Sequence, residues 1–152
     1  MTVIRDLLSY RLHVVANLLS RSAELRYRRE FGVSLWEWRT VALLGAATEP
    51  LSLNELARAA GIDKGQMSRV VSGLTRRRLV LRAPDASDAR GIRLELSKAG
   101  HKLYRGLIQA AGERDAMFAN CLSRKEMQAF DAALAKLAQQ ARHFIQQEKS
   151  AA

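Results

Sequence analysis

Between Ser52 and Arg93 the chain reads SLNELARAAGIDKGQMSRVVSGLTRRRLVLRAPDASDARGIR. The first part of this stretch predicts two short helices joined by a tight turn. Ser52 with Glu55 forms a capping box, the hydroxyl accepting from a free backbone amide and the carboxylate returning to the cap. Leu53, Leu56, Ala57 and Ala60 then recur on one helical face, and Gly61 stops the helix. Asp63 caps the next helix, with Gln66 three residues on. Its apolar stripe is Met67, Val70, Val71 and Leu74. The other side carries Lys64, Gln66, Ser68, Arg69, Ser72 and Arg76, all hydrogen-bond donors. A short helix, a turn and a donor-rich second helix are what a helix-turn-helix reader of double-stranded DNA requires.

The second part predicts a hairpin. LVLR at 79–82 is short and β-prone, and IRLEL at 92–96 alternates apolar and charged with period two. Residues 83–91, with Pro84 and Gly91, read as the loop between them. A hairpin beside a helix-turn-helix is a wing. Its tip would carry Arg90, oriented by Asp88, into a narrow and electronegative minor groove.

Charge follows the same division. The formal net charge is +10. Residues 52–105 hold twelve Lys or Arg and five acids, a net of +7, whereas residues 1–51 give seven and five, and 106–152 six and five. The basic excess thus sits on the suspected reading unit, which favours a polyanionic partner bound through the middle of the chain.

The remaining segments predict helices. Asp6 to Phe31 reads as one long helix ended by Gly32, with Leu7, Tyr10, Val14, Leu18 and Leu25 on one side and Leu8, Leu12, Val15 and Leu19 widening the apolar surface. Arg26, Arg28 and Arg29 suit a helix C-terminus, with phosphate contact as the alternative. A second capping box, Ser34 with Glu37, opens a helix containing Trp36 and Trp38. These two cannot share a face, so one is expected to line a cleft or a helix–helix seam. Residues 45–51 read as a loop. Ser97 caps a further helix, in which Ala110, Ala111 and Gly112 permit close approach or a bend. Ser123 with Glu126 opens the last, striped by Met127, Phe130, Leu134, Leu137, Ala138, Ala141 and Ile145. Unspent apolar surface on the first and last helices predicts a homodimer.

Other classes fit poorly. His13, His101 and His143 are widely spaced and lie in no catalytic signature, so no enzyme is expected. No metal-ligand cluster and no phosphate-binding glycine loop occur, so no metal and no cofactor are expected. No apolar run approaches a membrane span and no signal peptide opens the chain, which points to a cytoplasmic protein. Cys121 is the single cysteine. It reads as buried packing, with thiol-based redox sensing as the alternative.

The whole pattern, over residues 5–146, resembles the MarR family of winged helix-turn-helix regulators. The matching pieces are LWEWR at 35–39, LNELA at 53–57, DKGQMSR at 63–69, LTRRRLV at 74–80, RAPDASDAR at 82–90 and LELSKAG at 94–100. Arg78 stands where the family usually ends the recognition helix with glycine, and Ala89 where an arginine is frequent. The resemblance implies a mainly α fold with a small antiparallel β-hairpin wing. It places a winged helix-turn-helix at 34–96 within one domain, 1–152, and dimerisation helices at 5–31 and 97–146. It also implies a homodimeric transcription factor, usually a repressor, on a pseudo-palindromic operator, released by a small aromatic acid or its thioester. A DNA-binding structural protein without an effector would use the same fold. The expected DNA contacts are Lys64, Gln66, Ser68, Arg69, Arg76, Asp88 and Arg90. Those expected at an effector are Tyr10, Arg11, His13, Arg21, Trp36 and Trp38.

Overall fold

The computed structural model describes residues 3–85 and 88–151, with the side chains of 88–90 outside the description. Helix α1, Leu8–Phe31, does not begin at Asp6. A 3-10 turn, Ile4–Asp6, comes first, and extended Leu7 separates the two. Leu7 has no side chain able to cap a helix, and its amide instead closes the turn on the oxygen of Ile4 at 3.2 Å. Gly32 ends α1 in the left-handed conformation, with φ of 63°, as Gly61 does for α3.

The elements that follow are α2 (Leu35–Ala46), β1 (Leu51–Ser52), α3 (Leu53–Ala60), α4 (Lys64–Arg76), β2 (Val80–Asp85), β3 (Asp88–Leu96), α5 (Lys98–Ala119) and α6 (Arg124–Ala151). The expected capping boxes form. Ser34, Ser52 and Ser123 each accept from the amide of a glutamate three residues on, and each glutamate accepts from the serine amide at 2.7–2.8 Å.

Two expectations about the sheet are corrected. The hairpin loop is shorter than 83–91, because β2 runs to Asp85 and β3 starts at Asp88. Pro84 sits opposite Ile92 within the ladder. The strand order is β1-β3-β2, so β2 is an edge, and a proline there leaves no inward donor unmatched. The segment 45–51 is also not all loop. Gly45 and Ala46 continue α2, and Leu51–Ser52 pairs with β3 at Leu94 and Arg93.

Two compact units divide within α5, after Ala111. In the first, Tyr27, Val33, Val41, Leu56, Met67, Val71, Leu74, Leu94 and Leu107 form a core at most 2% exposed. Each fully buried large side chain contributes roughly 1.5–3 kcal/mol relative to exposure. Tyr27 packs on Trp38 with ring centroids 5.0 Å apart. The buried hydroxyl of Thr40 donates to the Met67 sulfur at 3.5 Å, tying α2 to α4 through a weak acceptor. A Cβ at Gly45 would lie 2.5 Å from the Tyr104 ring, so glycine admits α5 to α2 there.

The second unit, from Gly112, holds the end of α5 and all of α6. The helix α5 is continuous through Gly112. No residue of α6 is buried within the chain. Cys121, expected in a packed environment, is exposed at the turn after α5. The small and apolar residues around it fall on a helix end, where neither the turn nor α6 covers it.

Candidate DNA-reading surface

Helix α4 owes its placement to its two faces. Met67, Val71 and Leu74 are fully buried and press it onto the core. The Asp63 carboxylate accepts from the Gln66 amide at 2.8 Å and fixes its start. Gly65 leaves that cap room, since a Cβ there would stand 3.1 Å from the capping oxygen. The opposite face, turned outward, carries Gly65, Arg69, Ser72 and Arg76 at helical spacing.

The five α4 residues expected at DNA fall on this surface in three places. Arg69 and Arg76 are exposed along its middle. Lys64 is exposed at the first turn, where the free amides and the helix dipole also favour an anion. Gln66 and Ser68 are half-buried and form its borders. Ser72, a donor that is not among the expected contacts, lies mid-face. Its hydroxyl accepts from Arg82 of β2 at 3.3 Å, which brings a further cation beside the helix. Helical spacing from Arg69 marks Ser72 in the sequence. Nothing local marks Arg82. The side chains of Asp88 and Arg90 lie outside the described residues; on the backbone, Asp88 opposes Asp85 where the ladder shifts register.

Several acids near this face are occupied. Glu37 accepts from Arg77 at 3.0 Å, and Asp85 and Glu55 accept from Arg93 at 2.7 and 3.0 Å. Asp63 is a cap. Asp85 and Glu55 share one arginine and keep a net charge of −1, so the basic potential a polyanion requires comes from the α4 face itself, where Lys64, Arg69 and Arg76 are exposed.

The expected effector residues are less gathered. Tyr10, Arg11, His13 and Arg21 are exposed on α1, and Asn17 Nδ2 stands 2.8 Å from His13 Nε2. Trp36 carries the Arg39 guanidinium 4.9 Å from its ring centroid. Trp38 turns the other way, toward Tyr27 and the core, as two residues apart on a helix must. A cavity of about 360 Å³ opens between α2 and α3, lined by Trp38, Arg39, Ala42, Leu43, Ala59 and Ala60. Of the six residues expected at an effector, Trp38 is on its wall. Arg39 was not anticipated there, although it follows Trp38 directly.

Among the described residues no group of His, Cys, Asp and Glu could hold a metal ion, and no helix is long and apolar enough to cross a membrane.

A capped reading helix, a basic outer face and an adjoining hairpin define a winged helix-turn-helix DNA-binding protein. A model of the MarR family matches residues 31–91. The HTH-type transcriptional regulator FarR of Neisseria gonorrhoeae is 30% identical over 102 residues, covering 67% of this chain and 69% of FarR. The S. aureus MepR–DNA complex superposes with a TM-score of 0.81 at 23% identity, over 88% of this chain and 98% of MepR. A MarR/EmrR family regulator from Acinetobacter sp. ADP1 gives 0.80 at 24% identity, over 89% and 94%. The chain belongs to the MarR family and is a DNA-binding transcriptional regulator, not an enzyme.

Proposed function

We propose that the protein is a homodimeric, ligand-responsive repressor that binds a pseudo-palindromic operator and is released by a small aromatic carboxylate or its thioester. The observation that carries the ligand reading is the cavity between α2 and α3. Its lining is apolar apart from one guanidinium, Arg39, and one indole, Trp38. An apolar cleft with few polar groups is the usual form of a small-molecule site, and arginine matches a carboxylate with a planar fork. The cavity borders α3, which leads into the recognition helix, so a ligand there acts on the element that sets the position of α4. It can shift the DNA-binding equilibrium only by its preference between two arrangements.

Dimerisation rests on apolar surface that the chain leaves uncovered. Leu8, Leu12, Val15 and Leu19 on α1 are 36–53% exposed, and Phe130, Leu134 and Ile145 on α6 are 39–54% exposed. A second copy covers such stripes and brings two reading helices to one duplex.

The test is operator release across a panel of aromatic acids and their thioesters. It is run on the wild type and on Arg39→Ala, Arg11→Ala and Arg21→Ala, with light scattering to establish a mass twice the 17.0 kDa of the chain. Release by a panel member that Arg39→Ala abolishes supports the cavity. Loss of response in Arg11→Ala or Arg21→Ala alone moves the site to α1. The exposure of Cys121 favours one second reading, a redox switch. It replaces the first if oxidation moves DNA affinity and the panel does not.

A further inference from the structure

Arg93 sits in the middle strand, opposite Ser52 of β1 and Ala83 of β2. Its Nε donates to Asp85 Oδ2 at 2.7 Å. Its Nη1 donates to Glu55 Oε2 at 3.0 Å and to the carbonyl oxygen of Pro50 at 3.4 Å. One side chain therefore holds the end of β2, the first turn of α3 and the segment entering β1. The Glu55 oxygen it reaches is also the one that accepts from the Ser52 amide at 2.7 Å, so the contact is continuous with the α3 cap. Asp85 is the firmer anchor. Its side chain is 13% exposed against 48% for Glu55. It also stands where the β2–β3 ladder shifts register between Pro84 and Asp85. At such a shift the backbone ladder defines the hairpin's direction less well, and a side-chain link can supply what is lost.

We propose that Arg93 is a positioning residue for DNA binding: through Asp85 and Glu55 it sets the pitch of the hairpin against α3, so that wing and recognition helix meet the duplex together. The inference rests on the reading of the hairpin as a DNA contact. Arg93 itself is not placed to neutralise phosphate, because its fork is directed at two carboxylates and a carbonyl. The cluster of one guanidinium and two carboxylates has a formal charge of −1. It borders a cleft of about 470 Å³ that Lys64 and Asn54 also line. Charge alone would therefore make this cluster unfavourable beside DNA. Its contribution is geometric.

That opposition of sign gives the test. Asp85→Asn and Glu55→Gln each remove a negative charge at nearly constant shape, and glutamine still serves a capping box. Duplexes are selected from a random-sequence pool with the full-length wild-type protein. Affinity is then measured on the selected duplex and on one trimmed of its outermost protected base pairs, with minor-groove footprinting of both. We expect Asp85→Asn and Arg93→Gln to bind the full duplex about tenfold more weakly, the scale of one lost charge-assisted hydrogen bond. They should lose the outer minor-groove protection and match the wild type on the trimmed duplex. Glu55→Gln should show the same pattern more weakly. Tighter or unchanged binding of the full duplex by Asp85→Asn overturns the clamp, since the carboxylate then acts only as a charge. An equal loss on both duplexes overturns it too, as a general effect on folding. A wild type that binds both duplexes equally overturns the reading of the hairpin as a DNA contact, and the clamp with it.

Discussion

The hydroxyl of Ser97 donates to the carbonyl oxygen of Arg78 at 2.7 Å and accepts from the amide of Gly100 at 3.0 Å. One serine thus caps α5 and holds the residue that closes the recognition helix. Arg78 has φ of 58°, and among the described residues it is the one non-glycine residue with positive φ. Its amide donates to Thr75 O at 2.9 Å and that of Leu79 to Leu74 O at 3.0 Å, the two bonds of a Schellman closure. An arginine occupies the position that a glycine fills without strain.

Replacing Arg78 by glycine should therefore stabilise the fold. The left-handed conformation costs an L-residue about 1–2 kcal/mol, and the added freedom of glycine in the unfolded chain returns roughly half of that. The net expectation is about 0.5–1 kcal/mol, a rise of about 2 °C in the melting midpoint. A lower midpoint would mean that the arginine side chain contributes more than its backbone geometry costs.

Arg69 and Lys64 should separate two kinds of DNA contact. Arg69→Ala removes a fork from the middle of the outward face and should cost about 1–3 kcal/mol of preference between operator and unrelated duplex. Lys64→Ala should weaken every sequence alike and lower the salt dependence by about one phosphate contact. Competition titrations at several salt concentrations read both. If the two variants scale all sequences equally, α4 does not read base edges through Arg69.

Acid should weaken the fold through its caps and arginine-paired carboxylates. The Ser52 amide and then the Ser52 hydroxyl, with Arg93 adding to them, hold the Glu55 carboxyl below its ordinary value of 4.5. The Ser123 hydroxyl and amide do the same for Glu126, and Arg26 followed by Arg29 for Glu30. A carboxyl lowered on folding adds stability that is complete above the ordinary value and is lost as pH falls through the lower, folded one. The melting midpoint should show no loss from these three groups down to about pH 4.5 and should fall below it. In Ser123→Ala the share from Glu126 should shrink to what the backbone amide at 123, which still donates to the carboxylate, supplies. An acid slope identical to the wild type would show that this cap is not coupled to folding.

How far the sequence discloses this arrangement depends on the range of each interaction. The serine caps, Gly32 and Gly61 are visible because their partners lie within one helical turn. The DNA-facing side of α4 is visible because burial of Met67, Val71 and Leu74 dictates what faces out. The two residues of β1 carry no local signal, since their pairing with Leu94 and Arg93 spans some forty positions. Pro84 reads as loop because proline is excluded from strand interiors, and only the sheet order shows it to be on an edge. Arg93 looks like one more basic residue of a wing until Glu55 and Asp85 are seen around it. Arg39 carries no local mark of a cleft residue, since only the packing of α3 against α2 places it on the cavity wall beside Trp38. The exposure of Cys121 depends on where α5 ends, which its small neighbours do not indicate.

The position of β2 also has a bearing on solubility. A hairpin that must project to reach DNA offers its outer strand as a template for another chain's backbone, and Leu81, 46% exposed, makes that strand more adhesive. Pro84 can donate no hydrogen bond, and Arg82 is an exposed charge on the same strand. Both discourage a second strand from adding there. The proline that reads as loop in the sequence, with the charge beside it, thus lets the hairpin protrude without seeding aggregation between copies.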